Sequence, residues 1–374
     1  NLRNGTHGSA VRNLQIRHRR SRIYVTLLLL FKLTLHSRIL LQPIAMRFVR
    51  FLAFLLVTAF VAVCLTNCHT TTQAPELPEG FVPLPRLDSI LITPNGVEKV
   101  TQGYPEFASL WGQLLGQMPN QAPETILTQF ASDSLICRLQ DSINHTFPAS
   151  ARPDVALWCA FSRAHELAPS HPMPRLYYYN SGFLASVLVA DSLLAIGLDR
   201  FLGRDSRFYQ ALAMPRYLAE RMTPQYIVPT ALEGWLSAEF PQNDPRPSVL
   251  DQMLYQGKIK YAITTLLPDL PDSVALQYTS QQLDWLEESE ADIWTYLSEK
   301  KLLYEKNQLI VSQLTRPAPF TNAFGQKSPG QAVNWLGFRI VASYMRHHAD
   351  LNLEDLFAPT LSNEQLLQNA KYRP

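Results

Sequence analysis

The 374-residue chain carries 33 Lys+Arg and 31 Asp+Glu, a formal charge of +2. Residues 1–67 hold ten of the basic residues and none of the acidic ones, so the remainder has 23 against 31, a net of −8. An acidic body has no electrostatic footprint for nucleic acid or anionic lipid, which argues against a nucleic-acid partner.

Residues 1–45 begin at Asn1 rather than Met. There Arg17, Arg19, Arg20 and Arg22 precede an apolar run, Val25 to Phe31, which Lys32, His36 and Arg38 then interrupt. The run is too broken for a membrane helix, and an extension upstream of a true start at Met46 accounts for it. From Met46 the pattern is clear. Arg47 and Arg50 precede an uncharged apolar run, Phe51 to Leu65, followed by a switch to polar, Pro-containing chain. That is a signal peptide over 46–67, too short to favour a span. Leu65-Thr66-Asn67-Cys68 reads as a lipobox, with Cys68 the lipid-attachment residue and the first of the mature chain. Cys64 is the poorer candidate, with Val61 and Val63 before it, and a soluble protein's leader cut elsewhere is the alternative. Residues 68–86, rich in Thr and Pro, form a flexible tether. Only Cys137 and Cys159 remain in the body, in apolar helical contexts where a buried free thiol is the ordinary state. An oxidising compartment leaves a disulfide between them open.

Residues 87–374 read as a single domain. Phe107, Leu110, Trp111, Leu114 and Leu115 recur at helical spacing. Ile126, Phe130, Leu135 and Leu139 make a second helical segment, and Val155, Leu157, Trp158 and Phe161 a third. Beyond Pro169–Pro174 the texture changes to three short strands, Leu176–Asn180, Phe183–Val189 and Ser192–Gly197, separated by turn residues. Helical patterns then return over Pro224–Phe240, Val249–Leu267, Thr279–Tyr304, Ala332–His348 and Asn363–Lys371. Thr223, Thr279 and Ser328 are placed as caps. The layout predicts an α+β fold, predominantly helical, with a small three-stranded sheet inserted between helices.

No catalytic constellation stands out. His165-Glu166 and His171 resemble H-E-x-x-H, but the histidines are six apart with Pro169 between them, whereas a shared metal needs them one helical turn apart. His347-His348 point about 100° apart on a helix. On Pro224–Phe240, Glu233 sits where a metalloprotease would carry its general base, but the flanking ligand positions are Leu232 and Leu236. Downstream, Gln256-Gly257 has an amide where a third ligand would need an acid. Nothing there lowers the pKa of a water. No G-x-S-x-G, Walker A or G-x-G-x-x-G sequence occurs, so no cofactor is predicted. Asp199, Asp251 and Asp284 read as caps or ion-pair partners, and Tyr177–Tyr179, Trp235, Trp285, Trp294 and Trp335 as core rather than groove.

Several blocks, in order over about 180 residues, carry a family resemblance: Ala195–Gly203 (AIGLDRFLG), Met214–Tyr217 (MPRY), Leu250–Lys258 (LDQMLYQGK), Tyr278-Thr279 with Gln282–Trp285, Ile293-Trp294, Ser328–Gly330, Trp335–Val341 (WLGFRIV) and Lys371–Pro374. They resemble the gliding-motility lipoprotein GldB and its relatives in Bacteroidetes. The resemblance implies a cell-envelope lipoprotein linked to gliding motility and type IX secretion, with envelope proteins of that machinery as partners and no known enzymatic activity. It also implies a fold distantly like zincins but without a metal site. The absence of acid in His69–Thr72 points to the periplasmic face of the outer membrane rather than the inner membrane. A periplasmic hydrolase, a degenerate zincin-like peptidase with a site around Glu233, is the alternative.

Overall fold

In a strand, successive side chains point to opposite faces, so an unbroken apolar run such as Leu176-Tyr177-Tyr178-Tyr179 needs cover on both sides. The computed structural model describes residues 77–78, 80–116, 121–149 and 152–374, and Cys68 with the whole leader lies outside them. Among the described residues six helices precede the sheet: α1 (Leu87–Leu91), α2 (Gly96–Gly103), α3 (Pro105–Leu115), α4 (Pro123–Ser132), α5 (Ser134–Thr146) and α6 (Asp154–Leu167). The sheet follows as β1 (Arg175–Tyr179), β2 (Val187–Ala190) and β3 (Leu193–Gly197). Its order is β1-β3-β2, with β3 parallel to β1 and antiparallel to β2.

The alternation sends Tyr177, Tyr179, Leu193 and Ala195 to a core with Leu87, Phe107, Trp111 and Leu127 of the first helices. Leu176, Tyr178, Leu194 and Ile196 enter a second core with Leu157, Phe161, Leu232 and Trp235. Each large side chain so buried contributes about 1.5–3 kcal/mol, and a one-residue slip would exchange the two faces. Before α1 the chain runs beside β1, where the Tyr178 N–H donates to the Pro85 carbonyl at 2.9 Å. The buried Asp154 takes the Tyr178 hydroxyl at 2.8 Å and the Leu84 N–H at 3.1 Å.

After β3 come α7 (Arg207–Ala211), α8 (Arg216–Ala219), a 3-10 turn at Pro224–Tyr226 and α9 (Ile227–Glu239). Helix α9 packs on the sheet with Gly234 facing Val187, where a Cβ would stand a tight 3.1 Å from Val187 Cγ1. Then follow α10 (Val249–Leu266), α11 (Asp272–Ala275), α12 (Ser280–Glu288), α13 (Glu290–Glu299), α14 (Gln308–Thr315), α15 (Ala332–His347), α16 (Leu353–Phe357) and α17 (Asn363–Asn369). Helix α10 starts on a Ser248–Asp251 capping box, and all its residues are buried or half-buried, so it is covered on several sides. Its second half (Ile259, Ala262, Ile263, Leu266) joins the sheet's second core. Its first half (Val249, Leu250, Met253, Leu254) joins a third core with Trp335, Leu336, Ile340 and Val341 of α15. The two helices cross at Gly257 and Gly337, where a Cβ on Gly257 would lie 2.3 Å from the Gly337 carbonyl carbon. Among the described residues no helix is long and apolar enough to cross a membrane.

The predominantly helical α+β layout is therefore the one read from the sequence, and the differences are local. The segment around Ile126–Leu139 is two helices, split where the Asp133 carboxylate accepts from the Leu135 and Ile136 N–H groups. Thr279–Tyr304 breaks at Ser289 and ends near Lys301, whose φ is +54°. Of the three expected caps, only Thr279 makes a capping box. The Thr223 hydroxyl is buried without a partner, and Ser328 instead binds the Thr321 backbone in the loop before α15. The thiols of Cys137 and Cys159 are unpaired, the first half-buried and the second exposed, so the expectation of burial fails for Cys159.

Candidate functional site

Glu233 is half-buried on α9, and its flanking Leu232 and Leu236 are wholly buried in the sheet's second core. The two positions that would bear metal ligands are thus occupied by packing. The Glu233 carboxylate accepts from the Gln277 amide at 2.7 Å. The sequence suggests an Arg, Lys or Tyr as its partner; the direct one is a neutral amide. Lys260, buried on α10, donates to the Leu276 carbonyl at 2.9 Å and lies 5.0 Å from the Tyr278 ring centroid. Burial pushes the Lys260 ammonium down to about 8, against the opposing pull of the Glu233 charge. The Tyr278 hydroxyl donates to the Gln331 carbonyl, and Arg221 donates to the Gln331 side chain at 3.0 Å. Each of these groups has a partner, as a buried polar network requires. The network joins α9, α10 and the loops before α12 and α15.

Gln256-Gly257 has a structural explanation too. Gly257 is the point where α10 meets α15, so the glycine that resembles part of a third-ligand motif is required by helix crossing. His165 is exposed on α6, while His171 pairs through Nδ1 with Glu239 at 2.7 Å. His347 and His348 each bind a backbone carbonyl four residues earlier. Among the described residues no three His, Cys, Asp or Glu side chains gather where they could hold a metal ion. Tyr177–Tyr179, Trp235 and Trp335 fill cores, and Trp285 and Trp294 are half-buried.

Of the three acids read as caps or ion-pair partners, only Asp251 takes part in a helix cap; Asp199 braces a loop, and the exposed Asp284 has no cap or ion pair among the described residues. Asp199, wholly buried, accepts from the Ser181 N–H and hydroxyl (both 2.7 Å) and from the Phe183 N–H (2.6 Å), fixing a loop in which Gly182 and Phe183 have positive φ. Burial raises its carboxyl above the ordinary value, against those hydrogen bonds. Asp251 completes the capping box of α10 by accepting from the Ser248 N–H at 2.9 Å, and it also accepts from the Asn363 amide at 2.9 Å. Burial alone would raise the Asp251 carboxyl, but Ser248, Asn363 and the Lys306 charge hold it below the ordinary value.

One feature was not read from the sequence as a site. Asp251, Tyr255 and Lys258, at i, i+4 and i+7 on α10, line a cleft of about 520 Å³ together with His171, Glu239 and Glu354. The available signal was slight: Lys258 stands three residues after Tyr255 and four after Leu254, on a helix whose polar residues are scattered round it.

No curated protein and no solved structure matches the chain significantly. A family model described as gliding motility protein GldB matches residues 82–374, from the strand-like segment before α1 to the C-terminus. The match takes in the sheet, the Glu233 network and the α10–α15 crossing alike, and the chain belongs to the GldB family of gliding motility lipoproteins.

Proposed function

We propose that the protein is a non-catalytic cell-envelope lipoprotein, anchored through Cys68, that acts by contact with proteins of the gliding machinery and the associated type IX secretion apparatus. Helix α9 carries the non-catalytic part of this reading: Leu232 and Leu236 are packed into the core and Glu233 is held by Gln277, so the helix is built for packing and not for activating a water. Family membership supports the gliding assignment. In this reading residues 1–45 precede the true start, 46–67 is a cleaved signal peptide, 68–86 is a tether, and the body faces the periplasm from the outer membrane. Cross-linking of intact envelopes, followed by pull-down of the full-length protein, tests it. Gliding or secretion components should be captured, and protein purified without chelator should carry no stoichiometric zinc. Bound zinc at one equivalent together with peptidase activity would replace this reading with the hydrolase around Glu233.

A further inference from the structure

The cleft beside α10 has one wall group that the fold leaves unused. Lys258 is 7% exposed, and it has neither a hydrogen bond nor an ion pair among the described residues. Its ammonium is not one of the sealed unpartnered atoms, so its remaining opening is to the cleft it lines. A buried, unpaired ammonium is costly to hold, and burial pushes it down to about 8.

The acids of the same cleft are all engaged. Glu239 is paired with His171, and Asp251 with Ser248 and Asn363. Glu354 accepts from the Ser170 hydroxyl at 2.6 Å and from its N–H at 2.9 Å. Lysine is a compact point charge that suits a single anionic group. The surrounding carboxylates would repel a dianion such as phosphate but would attract a cationic group on the far end of the same ligand. Phe240 and Phe357 stack at 4.3 Å on the cleft wall and give the cleft an apolar face. The volume is in the range that encloses a small molecule.

We infer that this cleft binds a short peptide with an apolar C-terminal residue, its carboxylate on Lys258 and its terminal ammonium toward the carboxylates of the cleft. No residue of the Glu233 network lines the cleft, and the inference does not depend on how the protein contacts its partners.

The test is calorimetric titration of the full-length protein in detergent with glycyl-phenylalanine. Saturable binding is expected, weakened at least about tenfold by C-terminal amidation and by Lys258→Met, the loss of one charge-assisted contact. The dipeptide should also protect Lys258 of the unaltered protein from amine acylation, read by peptide mass spectrometry; this arm needs no variant to fold. Failure to bind the dipeptide, equal binding of the amide, undiminished binding by a folded Lys258→Met protein, or absence of protection would each overturn the site. An octapeptide ending in the same dipeptide carries an amide where the dipeptide carries its ammonium: weaker binding than the dipeptide supports the pairing of both charges, and equal or tighter binding would overturn the ammonium half of the site.

Discussion

Gly257→Ala places a methyl group against backbone. Its Cβ would stand 2.3 Å from the Gly337 carbonyl carbon, 2.5 Å from that oxygen and 2.7 Å from the Phe338 nitrogen. Ordinary carbon contacts begin near 3.5 Å, so α10 and α15 would have to part by about 1 Å. The atoms in the way are backbone in the middle of two helices and cannot rotate aside. Parting them loosens a core that contains Met253, Leu254, Trp335, Leu336 and Ile340. Alanine favours a helix over glycine by about 1 kcal/mol, which acts in the opposite direction. Overpacking a tight core costs typically ~1–3 kcal/mol and occasionally more, and rigid backbone on both sides puts this site at the upper end. We therefore expect a net loss of about 2–3 kcal/mol, measured as a lower urea midpoint at unchanged slope. Gly103→Ala is the control, since nothing lies within 4 Å of its Cβ position; it should be neutral or gain up to about 1 kcal/mol. A Gly257→Ala protein as stable as the wild type would refute the account of the crossing.

Three further outcomes are expected. Glu233→Gln keeps the shape of the side chain and weakens one hydrogen bond from Gln277, so the loss of stability should lie within about 1–3 kcal/mol and an envelope phenotype should persist; a folded, correctly localised variant without function would favour the hydrolase. Lys258→Met removes a buried charge whose folded value is about 8 against an ordinary 10.5. The unfolded chain holds that proton to higher pH than the native state, so wild-type stability should rise between pH 8 and 10.5 relative to the variant. The variant should be more stable at pH 7, by at most ~3 kcal/mol, with the gap closing as pH rises; paired urea titrations at pH 7 and 9.5 that show a constant gap would contradict this. Cys68→Ser should release the protein from the membrane fraction, and a variant that still sediments with membranes would exclude lipid at Cys68 as the anchor.

What could be read from the sequence was whatever is governed by periodicity. The three aromatic and aliphatic runs became strands because both faces of the sheet are covered, and α9, α10 and α15 lie where their apolar spacing placed them. The misplacements trace to contacts distant in sequence. The second strand was expected from Phe183, but the Asp199 carboxylate, sixteen residues on, binds the Phe183 N–H and holds that residue at φ +66°, so pairing begins only at Val187. The expected helix through Ser289 is interrupted where Glu290 is held by Arg339 and Tyr372 from the far end of the chain.

The same physics explains why Glu233 attracted attention and Lys258 did not. Glu233 lies in a stretch that can be compared with a linear motif, and that comparison fails at Leu232 and Leu236 without any structure. Lys258 has no motif. Its significance depends on His171 from the loop after α6, Glu239 at the end of α9, and Glu354 and Phe357 of α16, which the fold alone brings to one cleft. Within α10 it is one lysine two positions from another, and Lys260 looks the same on paper. The difference is tertiary: Lys260 reaches the Leu276 carbonyl and the Tyr278 ring, while Lys258 reaches nothing that the described chain supplies. Two buried lysines two positions apart therefore have different standing. The first is accounted for by its own fold, and the second calls for a partner from outside it.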